Sequence, residues 1–433
     1  MIEIVRTSDA DFPRRINAIV RRGETIPPEI ETSVANIIDD VKTTGIGAVI
    51  RYTEQFDGVL LTPETLKIDP ADMKASADSL SKEARNVIRA AAKRIRSFHE
   101  KQLLEGFEYT DELGNRLGQI VRPVKRAGVY VPGGRAPYPS TLLMNVIPAR
   151  IAGVDEVVAV HPTPDGILNP AVMAAALEAG VDRMFQIGGA QAVAALAFGT
   201  DPVPRADVIV GPGNIYVATA KKQLFGVVNI DMIAGPSEIL IISDGTGNPA
   251  WAAADLLSQA EHDPLAAAVL ITTDQSFAEE VAKKLTSQLN ALERKEIARQ
   301  SLVSYGALIV ARDLDEAAAV SNDIAPEHLE LMVENPDGVL ERITAAGSIF
   351  LGHRTPETVG DYAAGPNHVL PTGGTARFSS PLGVYDFVTR MSVIEMSEEG
   401  IDTVGPISRD FARLEGLDAH ARAVQMRLEK KKR

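Results

Sequence analysis

Between about residues 126 and 350, short β-branched runs alternate with amphipathic stretches of helical length. Apolar runs bounded by Gly or Pro read as strands, and apolar residues recurring three and four apart read as helices. A first series gives strands at 128–131, 156–161, 183–187 and 207–210, with helices at 140–152, 170–179, 190–198 and 215–224. A second gives strands at 238–243, 267–272, 307–311 and 348–351, with helices at 249–261, 276–292 and 314–322. This rhythm implies parallel sheets joined by crossover helices, and two series predict two sheets. Segments 33–44 and 81–104 read as helices ahead of them, and the polar ends, 4–22 and 410–432, also read as helical. The Gly, Pro and Ser-rich stretch 360–382 is too long for an ordinary connection, a feature that usually marks function or contacts.

At 433 residues the chain exceeds what one core supports, so at least two domains are expected. With 44 basic and 58 acidic residues the net charge is −14, and the only basic block is the tetrad 430–433, a solvated tail. Nucleic acid is therefore not an expected partner. No apolar run approaches the roughly 18 residues of a membrane span, and residues 1–12 lack a signal-like apolar core, so a cytoplasmic protein is expected. There is no cysteine, which removes disulfides, thiolate metal sites and cysteine nucleophiles. Chemistry must then come from His, Asp, Glu, Gln, Ser or Lys.

Five of the seven histidines fall in the C-terminal half, at 262, 328, 353, 368 and 420. His99, after a Lys and Arg run, and His161, at a strand end, read as partly exposed surface residues, and His353 has no evident role. Gln259 and His262 share a face of a predicted helix ended by Pro264, with Asp255 extending the stripe. That stripe is either half of a metal site or, more commonly, a solvated face. In DIAPEHLEL, 323–331, Pro326 suits a first helical position and puts Glu327 and His328 in the first turn, among free backbone donors. They form either an acid-base pair or a helix start with an incidental histidine. Asp361, Asn367 and His368 sit among glycines in GDYAAGPNHVL, and GGTARFSS at 373–380 is either an anion cradle or an ordered loop. The turns PGGR at 132–135 and GPGN at 211–214 could each bind phosphate ahead of a helix, yet neither is a dinucleotide fingerprint.

Taken in order, eight segments resemble the L-histidinol dehydrogenase family: YVPGGRAPYPSTLLMN at 130–145, GGAQAVAALAFGT at 188–200, GPGN at 211–214, AGPSE at 234–238, DLLSQAEHDP at 255–264, APEHLEL at 325–331, GDYAAGPNHVLPTGGTARFSS at 360–380 and EGLDAH at 415–420. RYTEQFDG at 51–58 fits as well. The resemblance implies an α/β fold of two incomplete Rossmann-like parallel-sheet domains, with small helical terminal domains that intertwine a homodimer. The implied division is an N-terminal helical segment 1–24, a domain of 25–128 and 239–380 carrying metal and catalytic residues, an NAD-binding domain 129–238, and a C-terminal dimerisation segment 381–433.

It also implies one Zn²⁺ per subunit on Gln259, His262, Asp361 and His420, with His420 reaching across a shared active site. Glu327 and His328 match the acid-base pair; Ser237, His328, Glu415 and the metal ligands match substrate contacts; Tyr130, Gln191 and Asn214 match NAD⁺ contacts. The implied reaction is oxidation of L-histidinol through the aldehyde to L-histidine with two NAD⁺, the last step of histidine biosynthesis. Zinc would position the substrate, His328 would take protons and Glu327 would activate water. Without a thiol the aldehyde cannot be oxidised through a thiohemiacetal, which suits a route through water. A paralogous zinc and NAD-dependent dehydrogenase of another small polar alcohol is the alternative, and a zinc hydrolase is the reading from another class.

Overall fold

The computed structural model describes residues 2–22, 26–133 and 138–429, so Gly134 and Arg135 of the PGGR turn and the basic tail 430–433 lie outside the described residues. The chain divides into two compact units, Met1–Gln102 with Lys125–Phe387, and Leu103–Val124 with Val388–Arg433. Among the described residues no helix is long and apolar enough to cross a membrane.

The first unit holds the two expected parallel sheets. One is six-stranded, in the order β1 (Ile4–Arg6), β11 (Ala307–Val310), β10 (Ala267–Thr272), β9 (Glu238–Ser243), β12 (His328–Met332) and β13 (Ser348–Leu351). The other is five-stranded, in the order β6 (Arg183–Phe185), β5 (Glu156–Val160), β4 (Arg126–Tyr130), β7 (Val208–Val210) and β8 (Asn229–Ile230). Strands such as EILIIS and AAVLIT are buried at every position because helices cover both faces. Alternation divides them between two cores: Leu240, Ile242, Val269 and Ile271 face one, and Ile239, Ile241, Ala268 and Leu270 face the other. The strand and helix positions read from the sequence hold to within a few residues. The N-terminal segment is a correction, since residues 4–6 are a strand added in parallel to β11 and the helix begins only at Phe12, followed by Pro13. An open sheet edge captures the β-branched pair Ile4 and Val5, and Pro13 favours the first turn that follows.

In the second unit, β14 (Val388–Glu395), β3 (Arg116–Pro123) and β2 (Phe107–Thr110) form an antiparallel sheet, accompanied by helices Glu398–Leu414 and Asp418–Leu428. The sequence reading expected only helix at the C-terminal end. FEYT is exposed throughout, so no buried alternation announces these strands. The helix Glu398–Leu414 turns Ile407, Phe411 and Leu414 outward, 63%, 61% and 84% exposed, at spacings of four and three residues.

Candidate active site

The helix Leu314–Ile324 stops at Ala325, which is left-handed with φ 50°, and Pro326 then leads the chain into β12. Glu327 and His328 therefore open a strand, not a helix as the Pro326 signal suggests. The run HLELM has strand period: Leu329 and Leu331 enter the core while His328 and Glu330 share the opposite face. The pair thus lies at the amino ends of this sheet, away from the carboxyl ends where parallel sheets ordinarily bind ligands.

Glu238, at the start of β9, holds both residues. Its N–H donates to Glu327 Oε2 at 2.8 Å, its Oε2 accepts from Glu327 N–H at 3.1 Å, and its carbonyl lies 2.9 Å from His328 Nδ1. A carbonyl can only accept, so Nδ1 carries the hydrogen and Nε2 is the nitrogen free to exchange a proton. The remaining carboxylate oxygen of Glu238 accepts from Gly373 N–H at 2.7 Å and from Arg22 Nη2 at 3.0 Å. Arg22 is itself buried and donates to the carbonyls of Ile19, Leu265, Pro236 and Ser237. Neither Arg22 nor Glu238 stands out in the sequence, since their importance comes only from convergence of distant segments. Arg22→Met strands a buried carboxylate and is expected to lower stability by about 3–5 kcal/mol in denaturant melts. Arg22→Met with Glu238→Leu should regain most of that stability without regaining turnover, because Glu327 N–H then lacks its acceptor; recovery of both together would reduce the clamp to a packing element.

Among the described residues His328 Nε2 has no hydrogen-bond partner, and it lies 3.7 Å from Asp361 Oδ1. Burial opposes charge on this imidazole, but Glu327, Asp361 and Glu357 outweigh it and push His328 up to about 10. Burial likewise pushes the Glu327 carboxyl up to about 8, against the pull of His328. His328, Glu357 and Asp361 bring ligand atoms within 4.8 Å of one another. Of the four metal residues implied by resemblance, only Asp361 is in that group. Gln259 is buried beside Glu357 with Oε1 unpartnered, and against the rise that burial imposes, Asp361 is held low by the imidazoles of His328, His368 and His262. His262 falls in the turn after the helix Pro249–Ala260, so the expected continuous helical stripe ends before it. Glu357 was missed, although Glu357 and Asp361 stand four apart on the helix Glu357–Tyr362, a spacing that aligns two carboxylates. That helix sits close against β13, since a Cβ on Gly360 would lie 2.7 Å from the Phe350 ring.

His368 and His99 fasten the 360–370 segment. His368 Nδ1 donates to the Asp361 carbonyl at 2.7 Å and Nε2 meets Thr141 Oγ1 at 3.2 Å. Asn367 Nδ2 donates to Met144 O at 2.6 Å and lies 3.3 Å from His99 Nε2. The exposed readings of His99 and His161 are corrected: both are buried, His99 because it shares the inner face of its helix with Ala92 and Ile95, and His161 beneath Val131.

The residues implied for NAD⁺ gather at the carboxyl ends of the five-stranded sheet, where the parallel neighbours β4 and β7 are followed by strands on opposite sides. Tyr130 ends β4, and its hydroxyl accepts from Gly189 N–H at 3.1 Å. Gln191 is buried, and among the described residues both its amide atoms are unpartnered. Asn214 caps the helix Ile215–Leu224, accepting from Tyr216 and Val217. Gly211 has φ 108°, and a Cβ there would stand 2.2 Å from the Tyr130 carbonyl. A buried Lys221 and Asp231 ion pair grips Gly211 through its carbonyl and N–H. Ser237 directly precedes β9, and its carbonyl accepts from Ala267 and Arg22. Glu415 and His420 belong to the second unit, where both are exposed.

The family described as histidinol dehydrogenase matches residues 20–428. A histidinol dehydrogenase from Syntrophotalea carbinolica is 55% identical over 428 residues, covering 99% of each chain. One from Aquifex aeolicus is 51% identical over 426 residues, covering 98% of this chain and 99% of that one. The crystal structure of histidinol dehydrogenase from Elizabethkingia anophelis superposes with a TM-score of 0.93 at 36% identity, covering 99% of this chain and 98% of that one.

Proposed function

Because the chain belongs to the histidinol dehydrogenase family, and so is an NAD-dependent oxidoreductase that takes L-histidinol to L-histidine, we propose how its residues divide that reaction. The observation that carries the reading is the Glu327 and His328 pair, fixed by Glu238 and aimed at Asp361. The reaction removes four electrons in two hydride transfers, consumes one water and releases three protons. In its neutral form, reached as pH rises toward about 10, His328 takes the hydroxyl proton at Nε2 in the first oxidation, since Nδ1 is committed to the Glu238 carbonyl. Glu327, ionised as pH rises through about 8, draws the proton from the water that adds to the aldehyde, and His328 takes the hydrate's proton in the second oxidation, so turnover should increase with pH over this range. Tyr130, Gln191 and Asn214 bind NAD⁺ in the crevice of the segment 129–238.

The site suits a divalent cation: three carboxylates surround one imidazole, and Gln259 Oε1, His328 Nε2 and Glu357 Oε2 are buried without partners. We assign Zn²⁺ to Gln259, His262 and Asp361, completed by His420 of the partner subunit, with Ser237 and Glu415 contacting substrate. When bound, the metal supplies a fixed point for the substrate's imidazole and amino nitrogens. The outward apolar stripe of Ile407, Phe411 and Leu414 supports a homodimer with shared active sites. Such a biosynthetic enzyme works in the cytoplasm.

Chelation of the metal is expected to abolish oxidation while calorimetric NAD⁺ binding survives; turnover by metal-free protein would remove zinc from the reading. The deciding measurement is NADH yield per L-histidinol. Two equivalents with L-histidine as product support the reading, one equivalent points to a simple alcohol dehydrogenase, and none to a paralogue acting on another alcohol.

A further inference from the structure

Glu330 shares a face of β12 with His328, two residues away, yet the reaction as divided above gives it no part. It is 2% exposed, and its Oε1 accepts from the Glu357 backbone N–H at 2.7 Å. That N–H is the first of the helix Glu357–Tyr362, and a helix leaves its opening N–H groups without partners of its own. The residue placed to cap this helix is Pro356, whose side chain holds no acceptor. A carboxyl from β12 fills the gap.

Two links therefore join strand and helix side by side. Glu330 meets the helix at Glu357, and His328 Nε2 lies 3.7 Å from Asp361 Oδ1, one turn further on. Residues two apart on a strand are separated by roughly 6–7 Å along it, and residues four apart on a helix by about 6 Å, so the two spacings match. The helix is six residues long, too short to hold its form unaided. Its other ties are Ser258 Oγ, which donates to Glu357 Oε1, and His368 Nδ1, which donates to the Asp361 carbonyl. Burial first, and Asp255 after it, push the Glu330 carboxyl well up, so an uncharged side chain of the same length is a fair replacement.

We propose that Glu330 is a positioning residue: by holding the first N–H of this helix it keeps Asp361 in register with His328 and so fixes the carboxylate that the metal needs. The proposal rests on the reading that Asp361 holds Zn²⁺.

Two substitutions separate reach from charge. Glu330→Gln keeps an oxygen at the same distance from the backbone and removes the acid, whereas Glu330→Asp keeps the acid and draws it back by one methylene. Zinc affinity of the whole protein, measured by competition with a chelator, should stay within about threefold of the parent for Glu330→Gln. For Glu330→Asp it should weaken by about 10–100-fold, the scale on which losing a partner behind a metal's ligands is felt. Amide hydrogen exchange over residues 357–362 of the metal-free protein should quicken by about tenfold or more in Glu330→Asp alone. Glu330→Met, which keeps the volume and removes the carboxyl, takes its place should Glu330→Asp not fold. Parent-like exchange and affinity in the shortened variant overturn the proposal, and so does a Glu330→Gln protein as impaired as Glu330→Asp, since reach would then not be what matters. Asp361→Ala separates the two levels: unchanged zinc affinity there sinks the metal reading, and weakened affinity there with none lost in Glu330→Asp sinks Glu330 alone.

Discussion

Glu327→Gln is expected to strand the reaction at the aldehyde, slowing the second oxidation by about 10²–10⁴-fold while the first stays within about tenfold. The glutamine oxygen can still accept the Glu238 N–H bond now made at 2.8 Å, so the strand start keeps its place. What disappears is a carboxylate able to take a proton from water. His328→Asn should instead slow both oxidations by about 10²–10⁴-fold, because the only exchangeable nitrogen is lost from both steps. Single-turnover kinetics started from L-histidinol and from L-histidinaldehyde separate the two. Equal losses in both half-reactions for Glu327→Gln would sink the division of roles.

The second large effect concerns ownership of the site. His262→Ala and His420→Ala homodimers are each expected to be inactive, because both of their sites lack a ligand. In the mixed dimer one site loses both ligands, while the other receives an intact His262 from one chain and an intact His420 from the other. Activity should return to one of the two sites. Verified heterodimers that stay inactive would place His420 outside the partner's site, and the exposed position of His420 on the helix Asp418–Leu428 would then need another explanation.

The parallel sheets were legible because their strands are apolar runs buried on both faces, and the crossover helices because their apolar residues recur at helical spacing. The site was legible in residue type and less so in local form. Pro326 reads as a helix start, and only the left-handed turn at Ala325, fixed by the surrounding fold, converts it into a strand entry. His99 looked solvated because its sequence neighbours are basic, although its spacing from Ala92 and Ile95 places it inward. Arg22 gives no signal at all in one dimension. Its meaning is set by what stands across from it, a buried carboxylate.

Arg22 and Gly373 meet on the same oxygen of Glu238, and Glu327 meets its other oxygen. On a ribosome adding about 5–20 residues per second, roughly 20 to 70 s separate the first of these groups from the last. The GPGN turn and the ion pair that grips it are complete by Asp231, before any member of the clamp except Arg22 exists. A nascent chain therefore completes the segment to which NAD⁺ binding is proposed well before the clamp that fixes Glu327 and His328. On the proposed roles, oxidation chemistry stays locked until Gly373, the last arm of that clamp, has been made.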